Sequence, residues 1–211
     1  VKLWHRLDLD VSNAVSIDVE DYLLSESSKQ YNSFWVPEAG GIWSIPPHEI
    51  FKKEWVEYME HTFGAVCATA QMFMRQPYYQ HAQAHKDTYL DGAVIQEGAV
   101  NWMINQDDDA EHCFYADPTD GEPILQKRSE IDIDLSWPME GLELLDSLVI
   151  GSQPTLVNTG HLHNITMGSA RRTCLSLRFN GIISWDQHLE HFKDIITCLL
   201  YTSDAADEVD R

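Results

Sequence analysis

His85-Lys86-Asp87 is a short run able to do chemistry. On an extended strand side chains repeat every two residues, so the imidazole and the carboxylate lie on the same side. Taken alone the triplet carries little weight, because a chain with ten histidines is expected to contain about one such triplet by chance. Its value comes from residues 154–179, PTLVNTGHLHNITMGSARRTCLSLRF, which supply a second strand-borne histidine at His161 or His163. Two histidines and one carboxylate on one face of a metal leave three adjacent coordination positions open. That donor set suits a ferrous ion that must bind a cosubstrate and dioxygen together, whereas a closed structural zinc site needs four protein ligands. His81 and His85 have helical i, i+4 spacing, but the local pattern is that of a strand. His61, His188 and His191 fall on predicted helices and read as surface or packing residues.

Basic residues follow the second histidine. The chain has 211 residues with 14 Lys and Arg against 34 Asp and Glu, a formal charge of −20. A surface this acidic repels phosphate polyanions and excludes nucleic-acid binding through general electrostatics. Residues 101–150 hold thirteen acids against Lys127 and Arg128, and Asp107, Asp108 and Asp109 read as solvated loop. Against that background Arg171, Arg172 and Arg178, three arginines within eight residues, form the main concentrated positive site. A bidentate guanidinium–carboxylate contact is what a small dicarboxylate requires.

The elements that must position these residues are mostly short strands. YYQHAQAHKDTY, AVNWMIN, HCFYAD, EIDIDLSW, LDSLVIG, PTLVNTG and RTCLSLRFNG are apolar or alternating segments separated by turn residues, the pattern of a β-sandwich or jelly roll. Residues 36–48, VPEAGGIWSIPPH, read as an irregular loop. A helix is predicted over about 50–63, with Ile50, Phe51, Trp55, Tyr58 and Met59 on one packing face and Gly64 as its stop. A second is predicted over 184–197, with Leu189, Phe192, Ile195 and Ile196 on one face and Ser184 as its cap. The expected architecture is mainly β with helices packed from both ends of the chain.

No apolar run is long enough to span a bilayer, and VKLWHRLDLD lacks the basic-then-apolar order of a signal sequence. A cytoplasmic protein is expected, or a fragment whose start is missing, since residue 1 is Val. Residues 198–208, CLLYTSDAADE, look like the translation of a transposase-type sequencing adapter, as in an environmental read, so 198–211 is expected to be a non-native tail and 1–197 one domain. Leaving out the tail's four acids and Arg211 changes the charge from −20 to −17. Cys67, Cys113 and Cys174 then remain, odd in number and without a CxxC, which argues for reduced thiols.

HxD followed by NTGxxHNI and RxxLSLRF resembles the Fe(II)- and 2-oxoglutarate-dependent dioxygenase superfamily, in particular its aspartyl/asparaginyl β-hydroxylase-like and phage-type members, over residues 77–180. The resemblance implies a cupin-like double-stranded β-helix core at about 77–182 and a bacterial or phage source. It also implies metal ligation by His85, Asp87 and His163, with His161 in the place of a residue that is not a ligand. Arg172, nine positions after His163, is the implied anchor for the distal carboxylate of 2-oxoglutarate, with Arg178 as the runner-up. The usual hydroxyl partner two residues after the arginine is replaced by Cys174, and Ser176 is a substitute. Asn101, in an NW pair common on an inner strand of these enzymes, is a candidate contact to cosubstrate or substrate; Trp102 reads as packing. The implied activity is hydroxylation of a small-molecule or protein side-chain substrate by dioxygen, with release of succinate and carbon dioxide. Two other classes fit the residues: a jelly-roll binding or structural module without redox activity, and a cupin-like metalloprotein with other chemistry.

Overall fold

The computed structural model describes residues 2–78, 83–87, 96–105, 110–119, 124–127, 133–166 and 168–197. His81, Asp107, Asp108, Asp109, Arg128 and the 198–211 tail lie outside them. In chain order the elements are β1 (Trp4–Arg6), α1 (Val19–Leu23), β2 (Asn32–Val36), β3 (Gly40–Ile45), α2 (Pro47–Ile50), α3 (Lys53–Phe63), β4 (Val66–Arg75), β5 (Gln83–Lys86), β6 (Ala99–Met103), β7 (Glu111–Tyr115), β8 (Ile124–Lys127), β9 (Ile133–Pro138), β10 (Leu144–Val149), β11 (Thr155–Val157), β12 (His163–Thr166), β13 (Arg172–Asn180) and α4 (Trp185–Phe192).

Two antiparallel sheets form the body. The larger has the order β1-β11-β6-β13-β4-β3-β2 and the smaller β10-β7-β12-β5-β9-β8. From β4 onward the chain alternates between them, except that the successive strands β7 to β10 all stay in the smaller sheet. β4, β6, β11 and β13 lie in the larger sheet and β5, β7, β10 and β12 in the smaller, with β8 and β9 extending the smaller sheet beyond β5. This eight-strand winding is a double-stranded β-helix, or jelly roll. Its first strand is β4, so the core begins at Val66, ahead of the boundary near residue 77. On β4, Ala70, Met72 and Met74 are buried on one face while Thr69, Gln71 and Phe73 on the other are half-buried.

Period-two alternation sorts the side chains into layers. On β13, Leu175, Leu177 and Phe179 join Met59, Met72, Trp102 and Phe192 between the larger sheet and the helices. Each large apolar side chain fully buried there contributes about 1.5–3 kcal/mol. The other face of β13, Arg172, Cys174, Ser176 and Arg178, looks toward the smaller sheet, where Cys174 packs with Met103 and Phe114. A one-residue slip of β13 would exchange the two sets.

Three sequence expectations need correction. Residues 40–45 are strand β3 rather than loop, paired with β2 and β4. The glycines make this possible: a Cβ on Gly40, whose φ is +112°, would stand 2.0 Å from the Met74 carbonyl oxygen, and one on Gly41 would collide with Trp35 and Trp43. The helix expected from residue 50 begins at Lys53, because Phe51 bridges Val15 and the Ile50 carbonyl accepts from Ser16. Tyr58 on that helix is exposed and not part of the packing stripe. The helix ends at Gly64, left-handed at φ 63°. α4 begins at a capping box of Ser184 and Gln187 and gives way at Lys193 to a 3₁₀ turn. Among the described residues no helix is long and apolar enough to cross a membrane, and Cys67, Cys113 and Cys174 are free thiols.

Candidate metal centre

The sheet register brings the histidines together. His85 on β5 pairs directly with His163 on β12, and their rings lie 4.4 Å apart between centroids. Asp87 follows β5 on the same side as His85, and its amide donates to the Thr159 carbonyl at 3.0 Å. Asp87 Oδ1 stands 3.6 Å from His85 Nε2 and 3.9 Å from His163 Nε2, and one donor atom from each of the three residues lies within 4.8 Å of the others. Donors about 2.0–2.2 Å from one ion at right angles sit roughly 3 Å apart, so a small closure completes the set. His163 Nδ1 lies 2.8 Å from the His161 carbonyl. A carbonyl only accepts, so Nδ1 carries the proton and Nε2 presents its lone pair toward Asp87.

Arg178 reaches this centre from the opposite sheet. Its guanidinium donates to Asp87 Oδ2 at 2.5 Å and to Thr159 Oγ1 at 2.8 Å, and it is 4% exposed. The NTG segment acts as a clamp. The Asn158 side chain accepts from the His161 amide, Thr159 meets both Asp87 and Arg178, and Gly160 lies where a Cβ would strike Glu97.

The three arginines do not form one positive patch. Arg171 points outward and pairs with Glu20 on α1. Arg172 and Arg178 both face the sandwich interior, but six residues of strand separate them by about 20 Å. Arg172 is 2% exposed, with Nε 3.4 Å from Met103 Sδ, and is in register with Arg75 on β4. Between these ends, Ser176 on β13 is in register with Asn101 on β6. Both are buried, and Ser176 Oγ and Asn101 Oδ1 have no hydrogen-bond partner. Cys174 is buried among apolar neighbours. Trp102 faces the helices and packs against Phe51 and Trp55.

His161 stays outside the cluster: its carbonyl serves His163, while burial lowers the pKa of its own ring. His188 is fully buried, with Nδ1 2.8 Å from the Ser184 carbonyl. His112 is the residue that the sequence reading passes over. It is 2% exposed, stacks on His163 at 5.0 Å and 17°, and both ring nitrogens lack a partner. Burial foremost, then His163 and Arg172, hold its pKa well below the ordinary histidine value, against the opposing pull of Asp87. The available signal was its parity with Phe114 on β7, two inward positions on one strand.

The chain matches no protein-family model and no curated protein. Among solved structures it is similar to a 2OG-Fe(II) oxygenase family oxidoreductase from Burkholderia pseudomallei, with 11% identity, a TM-score of 0.35, and coverage of 71% of this chain and 73% of that one. It is also similar to the coconut allergen cocosin, with 11% identity, a TM-score of 0.33, and coverage of 80% of this chain and 36% of that one.

Proposed function

We propose that the chain is an Fe(II)- and 2-oxoglutarate-dependent oxygenase that hydroxylates a small-molecule or protein side-chain substrate. The observation that carries this reading is the convergence of His85 Nε2, Asp87 Oδ1 and His163 Nε2 within a jelly roll. Two neutral nitrogens and one carboxylate oxygen hold a ferrous ion and leave room for other ligands. The buried, unpartnered Ser176 hydroxyl, with the Arg172 guanidinium beyond it, supplies donors suited to a small dicarboxylate laid along the interior.

In the working enzyme, iron and 2-oxoglutarate together supply the oxidation: dioxygen is consumed, 2-oxoglutarate loses carbon dioxide to become succinate, and one oxygen atom enters a substrate C–H bond. The residues bind and orient. His85, Asp87 and His163 ligate the metal, and the His161 carbonyl keeps His163 in the tautomer that can do so. Arg178 and Thr159 hold Asp87 so that Oδ1 faces the histidines, which makes Arg178 a positioning residue rather than the cosubstrate anchor. Arg172 pairs with the distal carboxylate, Ser176 donates its hydroxyl, and Asn101 Oδ1 accepts from an N–H or O–H of the substrate, because the 2-oxoglutarate dianion offers no donor. The buried walls keep water from the reacting atoms. The acidic surface supports a neutral or basic substrate, and the free thiols support action in the cytoplasm.

Purified protein supplied with Fe(II), 2-oxoglutarate and dioxygen is expected to release succinate slowly without added substrate, and Asp87→Ala is expected to abolish this. Thermal stabilisation separates the alternatives. A joint shift with metal and 2-oxoglutarate supports the oxygenase, a metal-only shift a cupin-like metalloprotein, and no shift a binding module.

A further inference from the structure

His112 is a polar side chain with no partner at the heart of the candidate site. Cys113 and Tyr115 join the outer cluster of the smaller sheet with Ala84 and Leu162. Phe114 lies in the sandwich interior with Met103 and Cys174, so His112, two residues from it on β7, faces inward as well. His112 is opposite Ile165 on β12 and Phe114 is opposite His163. The His112 ring is therefore two residues along from the metal-facing histidine, in the direction in which β12 runs on toward Arg172 at the start of β13. His112 stacks in parallel on His163 and lies 4.8 Å from the Phe114 ring, outside the converging donor set, and both of its ring nitrogens are buried without a hydrogen-bond partner. A buried imidazole always carries at least one N–H, and a fold seldom leaves such a donor unmatched without a ligand to meet it. The atoms left without partners on the facing sheet, Ser176 Oγ and Asn101 Oδ1, belong to the same interior.

We infer that His112 is a ligand-positioning residue, donating its ring N–H to a carboxylate oxygen of the bound 2-oxo acid from the side opposite Ser176. This rests on the oxygenase reading. The 2-oxo acid is then held by three kinds of contact: metal chelation at one end, Arg172 at the other, and hydrogen bonds from both sheets between them. The stack on His163 gives His112 a further duty, since a ring fixed against a metal ligand cannot rotate away when the cosubstrate leaves.

The test uses the full chain loaded with Mn(II), a redox-silent stand-in for Fe(II), and titrates 2-oxoglutarate by calorimetry. Wild type is expected to bind it. His112→Phe, which keeps an aromatic ring in the stack but has no N–H, is expected to weaken 2-oxoglutarate binding ten- to hundredfold while Mn(II) affinity stays within threefold. His112→Asn or His112→Gln, which return an amide N–H near ring Nδ1 or Nε2, should recover at least part of the loss. Binding by His112→Phe within twofold of wild type would overturn the inference. So would a loss that neither amide variant reverses, or one accompanied by an equal loss of Mn(II), since both would make His112 a packing residue. Failure of Mn(II)-loaded wild type to bind 2-oxoglutarate would instead overturn the oxygenase reading itself.

Discussion

Arg178 holds one oxygen of Asp87 at 2.5 Å and leaves the other facing His85 and His163. The two residues come from opposite sheets, so this contact ties the metal-ligand geometry to the closure of the sandwich. Partners that orient a metal ligand are typically worth 10–100-fold in affinity. Arg178→Met is therefore expected to weaken Mn(II) binding by about that factor in a titration at neutral pH. Unchanged Mn(II) affinity would mean that Asp87 orients itself.

Arg172 has a different task and should fail differently. Loss of a charge-assisted contact costs about 1.5–3 kcal/mol, so Arg172→Met is expected to weaken 2-oxoglutarate binding by about 10–150-fold and leave Mn(II) binding intact. A variant that binds 2-oxoglutarate as wild type does would remove Arg172 from the anchor role.

Much of this arrangement was legible in local sequence, and the rest depended on partners far away in the chain. RTCLSLRF showed its alternation openly, so the inward set Arg172, Cys174, Ser176 and Arg178 could be read from parity alone. HxD and the Ser184 cap are equally local. The split of the three arginines was not legible: Arg171 finds Glu20, 151 residues distant, and Arg178 finds Asp87, 91 residues distant. His112 was hidden for the same reason, because its importance comes from β12 lying beside β7. GGIWSI read as loop because its two glycines suggest a turn. Their purpose is close approach to Met74, Trp35 and Trp43.

That close approach makes Gly40 a stability test. A Cβ at Gly40 would stand 2.0 Å from backbone oxygen at a φ of +112°, so Gly40→Ala is expected to cost about 2–5 kcal/mol. The expected drop in Tm is at least about 5 °C. Gly151, where a Cβ meets nothing within 4 Å, serves as the control, and Gly151→Ala should unfold close to wild type. Equal melting of both variants would contradict the packing described for β3 against β4.

The buried His188 gives the fold an acid sensitivity. Burial foremost lowers its pKa, with Arg178 and His191 adding to this and the Ser184 carbonyl and Glu97 opposing it. The unfolded chain takes up a proton near about pH 6.5 where the folded chain resists it. Its contribution to stability is therefore present above that value and lost as pH falls through about 6.5 toward the lowered folded pKa. His188→Gln should flatten the fall in denaturant midpoint between about pH 7 and 5, and a slope identical to wild type would assign the acid loss to other groups.

Metal stoichiometry tests the centre of this account most directly. Wild type equilibrated anaerobically with Fe(II) and freed of excess is expected to retain one iron per chain by elemental analysis, and His85→Ala, Asp87→Ala and His163→Ala are each expected to retain almost none while remaining folded. Iron retained at the wild-type level by both His85→Ala and Asp87→Ala would contradict the assignment of the metal to these three residues.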